Sequence, residues 1–305
     1  MTDTFLGRIV STSPSSPLSS KETQKGESVF FCEARTPRYR YSDLILPENV
    51  LHDLDVLQSM IKNHTIVYHD WGMDKIDPYG EQTAFSLYGP PGTGKTMIVE
   101  ALCNRWEKKL IDINLSQLES KYVGETGKNI VKAFEAAKEN DAVLFFDEAD
   151  TVLGKRLSNV TQSADSSVNT ARGVMLKQLE QHKGIVAFAT NFASNCDPAF
   201  IRRILKHIHV PLPDYDNRIK LWQSKIPVRF PRKELIRFDE LARQSEGLSG
   251  GDILVAVKNA LFDAACTAEE SSPEKFFVRA IAAVKTAKEN IGTPTFVSEI
   301  KKELN

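Results

Sequence analysis

Apolar and polar positions along the chain follow two regimes that meet near Pro213. Upstream, short apolar runs alternate with stretches in which apolar residues recur every three or four positions. The runs are residues 83–88, 110–113, 142–146, 184–190 and 208–212, each of strand length. Residues 47–62 carry Val50, Leu54, Leu57 and Ile61 at helical spacing. Ile130, Phe134 and Ala137 share one face of a further predicted helix, which Thr126 can cap. Ser116 and Glu119 have the spacing of a capping box. Wholly apolar strands separated by helices imply a parallel sheet covered on both faces. Downstream of Pro213 the strand signals stop, and residues 214–225, 239–246, 250–266 and 274–290 read as helices. The expected fold class is therefore α/β, a parallel sheet with helices on both faces, followed by a small all-α part.

The N-terminal stretch has a third character. Residues 11–28 are rich in Ser, Thr and Pro and hold almost no large apolar side chain. Such a segment cannot offset the entropy of ordering it by burial. Residues 5–10 and 29–34 flank it, and either can form a short strand that docks elsewhere. The expected division is a flexible segment 1–40, an α/β domain 41–213 and a helical domain 214–305.

Composition narrows the function classes. With 305 residues, 41% hydrophobic and 26% charged, the chain can bury a sizeable core. A net charge of −1 supplies no global field toward nucleic acid or anionic lipid, so a nucleic-acid partner is not expected. Cys32, Cys103, Cys196 and Cys266 are far apart and form no metal-ligand spacing, which suits reduced thiols in the cytoplasm. No apolar run is long enough to span a membrane, and the first residues lack the pattern of a secretory signal.

One motif carries chemistry. Gly89, Pro90, Pro91, Gly92, Thr93, Gly94, Lys95 and Thr96 satisfy the phosphate-loop pattern between a predicted strand and a predicted helix. Glycines let backbone N–H groups curl around an anion, and the helix N-terminus adds partial positive charge. Lys95 can set a point charge against β- and γ-phosphates, and the Thr96 hydroxyl can ligate Mg²⁺. Asp147 and Glu148 end the third apolar run, where open α/β sheets hold ligands. Asp147 can hold Mg²⁺ through its water shell, and Glu148 can orient and deprotonate a water. Asn191 follows the fourth run as a polar amide able to hold a water or a γ-phosphate oxygen.

The run Gly89–Thr96, Phe145-Phe146-Asp147-Glu148-Ala149-Asp150, the triplet Ala189-Thr190-Asn191 and the later Asp197-Pro198-Ala199-Phe200-Ile201-Arg202-Arg203 together resemble the AAA branch of the AAA+ ATPases. That branch includes katanin, spastin, the proteasomal ATPases and the valosin-containing-protein unfoldases. The resemblance covers roughly residues 41–290. It implies a P-loop NTPase sheet, a helical lid, and ATP and Mg²⁺ as ligands, with residues 89–97, Met97 included, around the nucleotide. It makes Asn191 the first sensor. It sets Arg202 and Arg203 where an arginine finger reaches a neighbour's γ-phosphate, with Arg203 preferred. Lys121-Tyr122-Val123-Gly124-Glu125 is similar to the first pore loop of the branch, so Tyr122 and Val123 are implied to grip substrate. Residues 157–170 fall where a second pore loop would lie. Gly250 and Gly251 stand in a lid element that packs near adenine. Asp43 stands in an adenine-contacting loop whose usual two glycines are replaced here by Ile45 and Leu46. The resemblance thus implies an ATP-hydrolysing homo-oligomer, a hexamer, that threads or remodels protein. The alternative is an ATP-gated scaffold or loader that acts on a complex without threading.

Overall fold

The computed structural model describes residues 32–78, 82–114, 125–154, 163–191, 196–266 and 272–292. Five strands pair into one parallel sheet: β1 (Thr83–Tyr88), β2 (Leu110–Asn114), β3 (Val143–Asp147), β4 (Ile185–Thr190) and β5 (Lys206–His209). Their order is β2-β3-β4-β1-β5. Side chains alternate across a strand, so β3 divides its apolar residues between two faces. Val143 and Phe145 pack with Phe85 and Leu87 of β1. Phe146 faces the other way, stacked on Phe188 at 5.5 Å and tilted against Phe134 at 5.8 Å.

Helices cover both faces. Helix α1 (Glu48–Lys62) and α2 (Lys95–Arg105) close the first core through Val50, Leu54, Leu57, Ile98, Val99 and Leu102. Helix α3 (Glu125–Glu139) brings Ile130, Phe134 and Ala137, all buried, to the second face. The short α4 (Asp150–Leu153) follows β3, and α5 (Ser163–Gln181) buries Ala171, Met175 and Leu179. A single turn, α6 (Pro198–Ile201), precedes β5 and is capped by Asp197, whose carboxylate accepts from Ala199 N at 2.8 Å.

Beyond Pro213 a second core is wholly helical. It is built by α7 (Tyr215–Lys225), α8 (Phe238–Gln244), α9 (Gly250–Cys266) and α10 (Glu274–Gly292). Trp222 is its buried centre, and the indole N–H donates to Ser245 Oγ at 2.9 Å, so no donor is stranded.

Three sequence expectations shift. The fifth strand runs over Lys206–His209, not 208–212. It is an edge strand with one buried residue, Ile208, so an apolar template finds only its end. Pro211 and Pro213 have no N–H to donate to a ladder. Thr126 lies inside α3 rather than at its cap. The polar run 157–170, set by the resemblance at a second pore loop, is helical from Ser163, and residues 157–162 lie outside the described residues. Residues 1–31, the Ser116–Glu119 pair, Tyr122 and Val123 lie outside the described residues.

Candidate functional site

The three middle strands of the sheet end at one edge, and the side chains that follow them converge. After β1 the chain turns at Gly89, with φ 147°. A Cβ there would sit 2.2 Å from the Val210 carbonyl oxygen, so only glycine fits. Gly92 has φ 75°, and a Cβ on it would meet Ser249 Oγ at 2.5 Å. The loop then enters α2, whose first residues are Lys95 and Thr96.

Lys95 is folded into this loop. Its Nζ donates to Gly89 O at 2.8 Å, Pro90 O at 2.9 Å and Asn191 Oδ1 at 2.9 Å. Burial pushes its pKa down, against the pull of Asp147 and Asp150. Three neutral oxygens hold the ammonium, and a phosphate oxygen is a stronger, charge-assisted acceptor for it.

Thr96 Oγ1 donates to Asp147 Oδ2 at 2.9 Å, which joins the end of β3 to the start of α2. The other Asp147 oxygen accepts from Glu148 N at 2.8 Å. Glu148 has φ 52°, the left-handed region, and its Oε2 accepts from Asn114 Nδ2 at 3.2 Å. Asn114 ends β2 and is in register with Asp147. Asp150 accepts from the Thr190 hydroxyl and from Asn191 N, so the turn after β4 is tied to the turn after β3. Thr96 and Asp147 offer adjacent oxygen donors of the kind Mg²⁺ takes. Among the described residues no group of three or more His, Cys, Asp or Glu forms a metal cage. A site of one or two protein oxygens completed by phosphates fits that donor set.

Lys95, Thr96, Asp147, Glu148 and Asn191 line a cleft of about 560 Å³. Gly92, Gly94 and Met97 of the phosphate loop and helix α2 line it with them. Leu44, Ile45, Leu46, Leu221 and Leu254 give it an apolar wall. Gly250 and Gly251 start α9 at its rim, and Gly251 N donates to Gly92 O at 2.9 Å. Asp43 lines the cleft while its carboxylate takes Arg40 N at 2.8 Å, which closes the turn Tyr41–Asp43.

The two arginines differ. Arg203 donates to Glu180 through Nε at 2.9 Å and through its terminal nitrogen, and to Ala199 O at 2.9 Å. Arg202 is exposed. Neither is among the residues that line the cleft. The sequence reading missed Asn114, Arg38, Tyr39 and Glu100. For Asn114 a signal existed: a polar amide that ends an apolar strand at the ligand-binding edge. Arg38, Tyr39 and Glu100 line the cleft from a linker and a helix side that no motif marks.

Residues 85–212 match the family model described as "ATPase family associated with various cellular activities (AAA)". A proteasome-activating nucleotidase of Archaeoglobus fulgidus is 37% identical over 175 residues, 55% of this chain and 43% of that protein. Cell division protein C of Sulfolobus acidocaldarius is 31% identical over 233 residues, 71% of this chain and 57% of that protein. Spastin of Ixodes scapularis is 32% identical over 220 residues, 71% of this chain and 33% of that protein. The chain thus spans between a third and just over half of the length of these relatives. The phosphate loop lies inside the matched segment, and residues 85–212 of this chain are an AAA ATPase domain.

Proposed function

We propose that this chain hydrolyses ATP at a site completed by a second copy, and uses the cycle to thread or remodel a protein. The observation that carries the reading is the convergence of Lys95, Thr96, Asp147 and Asn191 through 2.9 Å bonds at the ends of β1, β3 and β4. Lys95 binds the β- and γ-phosphates, and Asn191, which already touches Nζ, holds a γ-phosphate oxygen or the water. Thr96 and Asp147 would hold Mg²⁺, which would neutralise charge on the phosphate oxygens. Glu148 takes the proton of the attacking water. Asn114 donates to its carboxylate and must release it for that step. Apolar residues 44–46 with Leu221 and Leu254 accept the base, with Asp43, Gly250 and Gly251 at its edge. In this reading residues 41–213 are the ATPase part and residues 214–305 the lid.

Arg202 is the residue we assign to the neighbour's site. Arg203 is engaged with Glu180 of its own chain, whereas Arg202 extends to solvent one residue earlier. An oligomer, a hexamer by family resemblance, is the assembly that would bring Arg202 of one copy to the cleft of the next. A relative named as a proteasome-activating nucleotidase supports a protein as the target. Tyr122 and Val123 are the proposed grip on it.

Glu148→Gln is the test. The variant is expected to bind ATP and stop turning it over, and normal turnover would sink the assignment. Tyr122→Ala tests threading: the rise in turnover caused by an unfolded polypeptide should vanish. A rise that survives in Tyr122→Ala favours the scaffold reading instead.

A further inference from the structure

Glu100 is a buried carboxylate, 5% exposed, on the helix that carries Lys95 and Thr96. Neither phosphate nor metal chemistry uses it. Its two oxygens are both taken by the linker that precedes the fold. Oε1 accepts from Arg35 at 2.9 Å, and Oε2 accepts from Arg38 N at 2.8 Å. Arg35 also donates to Asp112 of β2 at 3.2 Å, and its own N–H and carbonyl both pair with Leu110 at 2.9 Å. Burial works to raise the Glu100 pKa, yet the hydrogen bonds from Arg35 and Arg38 hold it below the usual carboxylate range.

The same helix grips the linker a second time. The Arg105 guanidinium lies 4.2 Å from the centre of the Tyr41 ring. The Tyr41 hydroxyl and Arg105 both donate to Asp55 of α1, at 3.2 and 2.8 Å. Between the two anchors lie Arg38 and Tyr39, which line the cleft. Directly after them come the turn Tyr41–Asp43 and the apolar wall Leu44, Ile45 and Leu46. The wall thus takes its position from the two anchors on α2.

We propose that Glu100 is a positioning residue: with Arg35 and the Tyr41–Arg105 contact it fastens residues 35–44 to the phosphate-loop helix and so sets nucleotide affinity. The inference rests on the reading of the cleft as a nucleotide site. A buried carboxylate such as Glu100 is costly to leave uncompensated, so it holds the Arg35 guanidinium and the Arg38 N–H in one position against α2. That position keeps the base wall at a fixed distance from the helix that binds the phosphates. The clamp acts on binding and leaves the bond-breaking step to other residues.

The test titrates ATP against the full chain and measures kcat and KM. Arg35→Met and Tyr41→Leu, neither of which lines the cleft, are each expected to raise Kd and KM about fivefold while kcat holds. Arg35→Lys should recover most of the loss, because an ammonium can still meet Glu100. The paired change Arg35→Met with Glu100→Leu should keep the melting temperature of the wild type yet retain the raised Kd, which separates positioning from bulk stability. Wild-type Kd in both Arg35→Met and Tyr41→Leu overturns the proposal. So does a fall in kcat at unchanged KM. Lys95→Ala runs alongside: if it binds ATP as the wild type does, the nucleotide reading itself falls, and the clamp with it.

Discussion

Glu148 shows how much of this site is decided at single residues. A side chain other than glycine at φ 52° costs about 1 kcal/mol or more, and the surrounding bonds have to hold it there. They do: its N–H is taken by Asp147 and its carboxylate by Asn114. The strained turn aims the carboxylate along the ligand-binding edge of the sheet. His182 illustrates a different residue-scale effect, away from the cleft. It is buried edge-on against Phe134 at 5.2 Å, and among the described residues its Nε2 has no hydrogen-bond partner. Burial, helped by Lys138, pushes its pKa down to about 4 from an ordinary 6.5. In this window the unfolded chain binds the proton that the folded chain refuses. The stability that neutral His182 contributes is therefore complete above about pH 6.5 and is lost as pH falls toward 4. Melting temperatures at pH 7 and pH 5 check this. The drop between them should be smaller in His182→Gln than in the wild type.

At the scale of elements, the phosphate loop is held from two sides. Val210, directly after β5, sets its carbonyl against Gly89, and Ser249 and Gly251, around the start of α9, sit against Gly92. Gly92→Ala is expected to break the second contact, since its Cβ meets Ser249 Oγ at 2.5 Å in a left-handed backbone. Affinity for ATP should fall by roughly tenfold or more, and the melting temperature should fall with it, consistent with a cost of about 1–2 kcal/mol. A titration of the variant, with melting followed in the same buffer, reads both. The glycine pattern announced this loop in the sequence, because a motif fixed by backbone sterics leaves a trace at every position. β1, β3 and β4 were legible for a related reason: central strands of a parallel sheet are largely apolar, and β2, although at the edge, still buries Leu110, Ile111 and Ile113. β5 was legible only in part, since an edge strand mixes Lys206, His207 and His209 with one buried Ile208. The linker clamp left no trace at all. Arg35 and Glu100 are 65 positions apart, and only the folded sheet brings them within 2.9 Å.

Across the whole molecule, the proposed chemistry outruns what one chain holds. Lys95, Thr96, Asp147, Glu148 and Asn191 gather in one cleft, whereas Arg202 lies outside its lining and is exposed. In the proposed mechanism Arg202 of another copy would supply the charge that stabilises the transition state, and an arginine so supplied is worth about a thousandfold or more in rate. Two inactive variants make this visible. Glu148→Gln keeps Arg202 but cannot activate water, and Arg202→Ala keeps Glu148 but cannot complete its neighbour. Each alone should be nearly silent. Mixed, they form some interfaces in which an intact Glu148 meets an intact Arg202, so turnover should reappear. The measurement is phosphate release across a mixing series at fixed total protein. Activity that peaks at intermediate ratios supports a site shared between copies. Silence at every ratio, with mixed oligomers demonstrated by size, would place the completing charge within a single chain and turn attention to Arg38 and Lys225, the cations besides Lys95 that line the cleft.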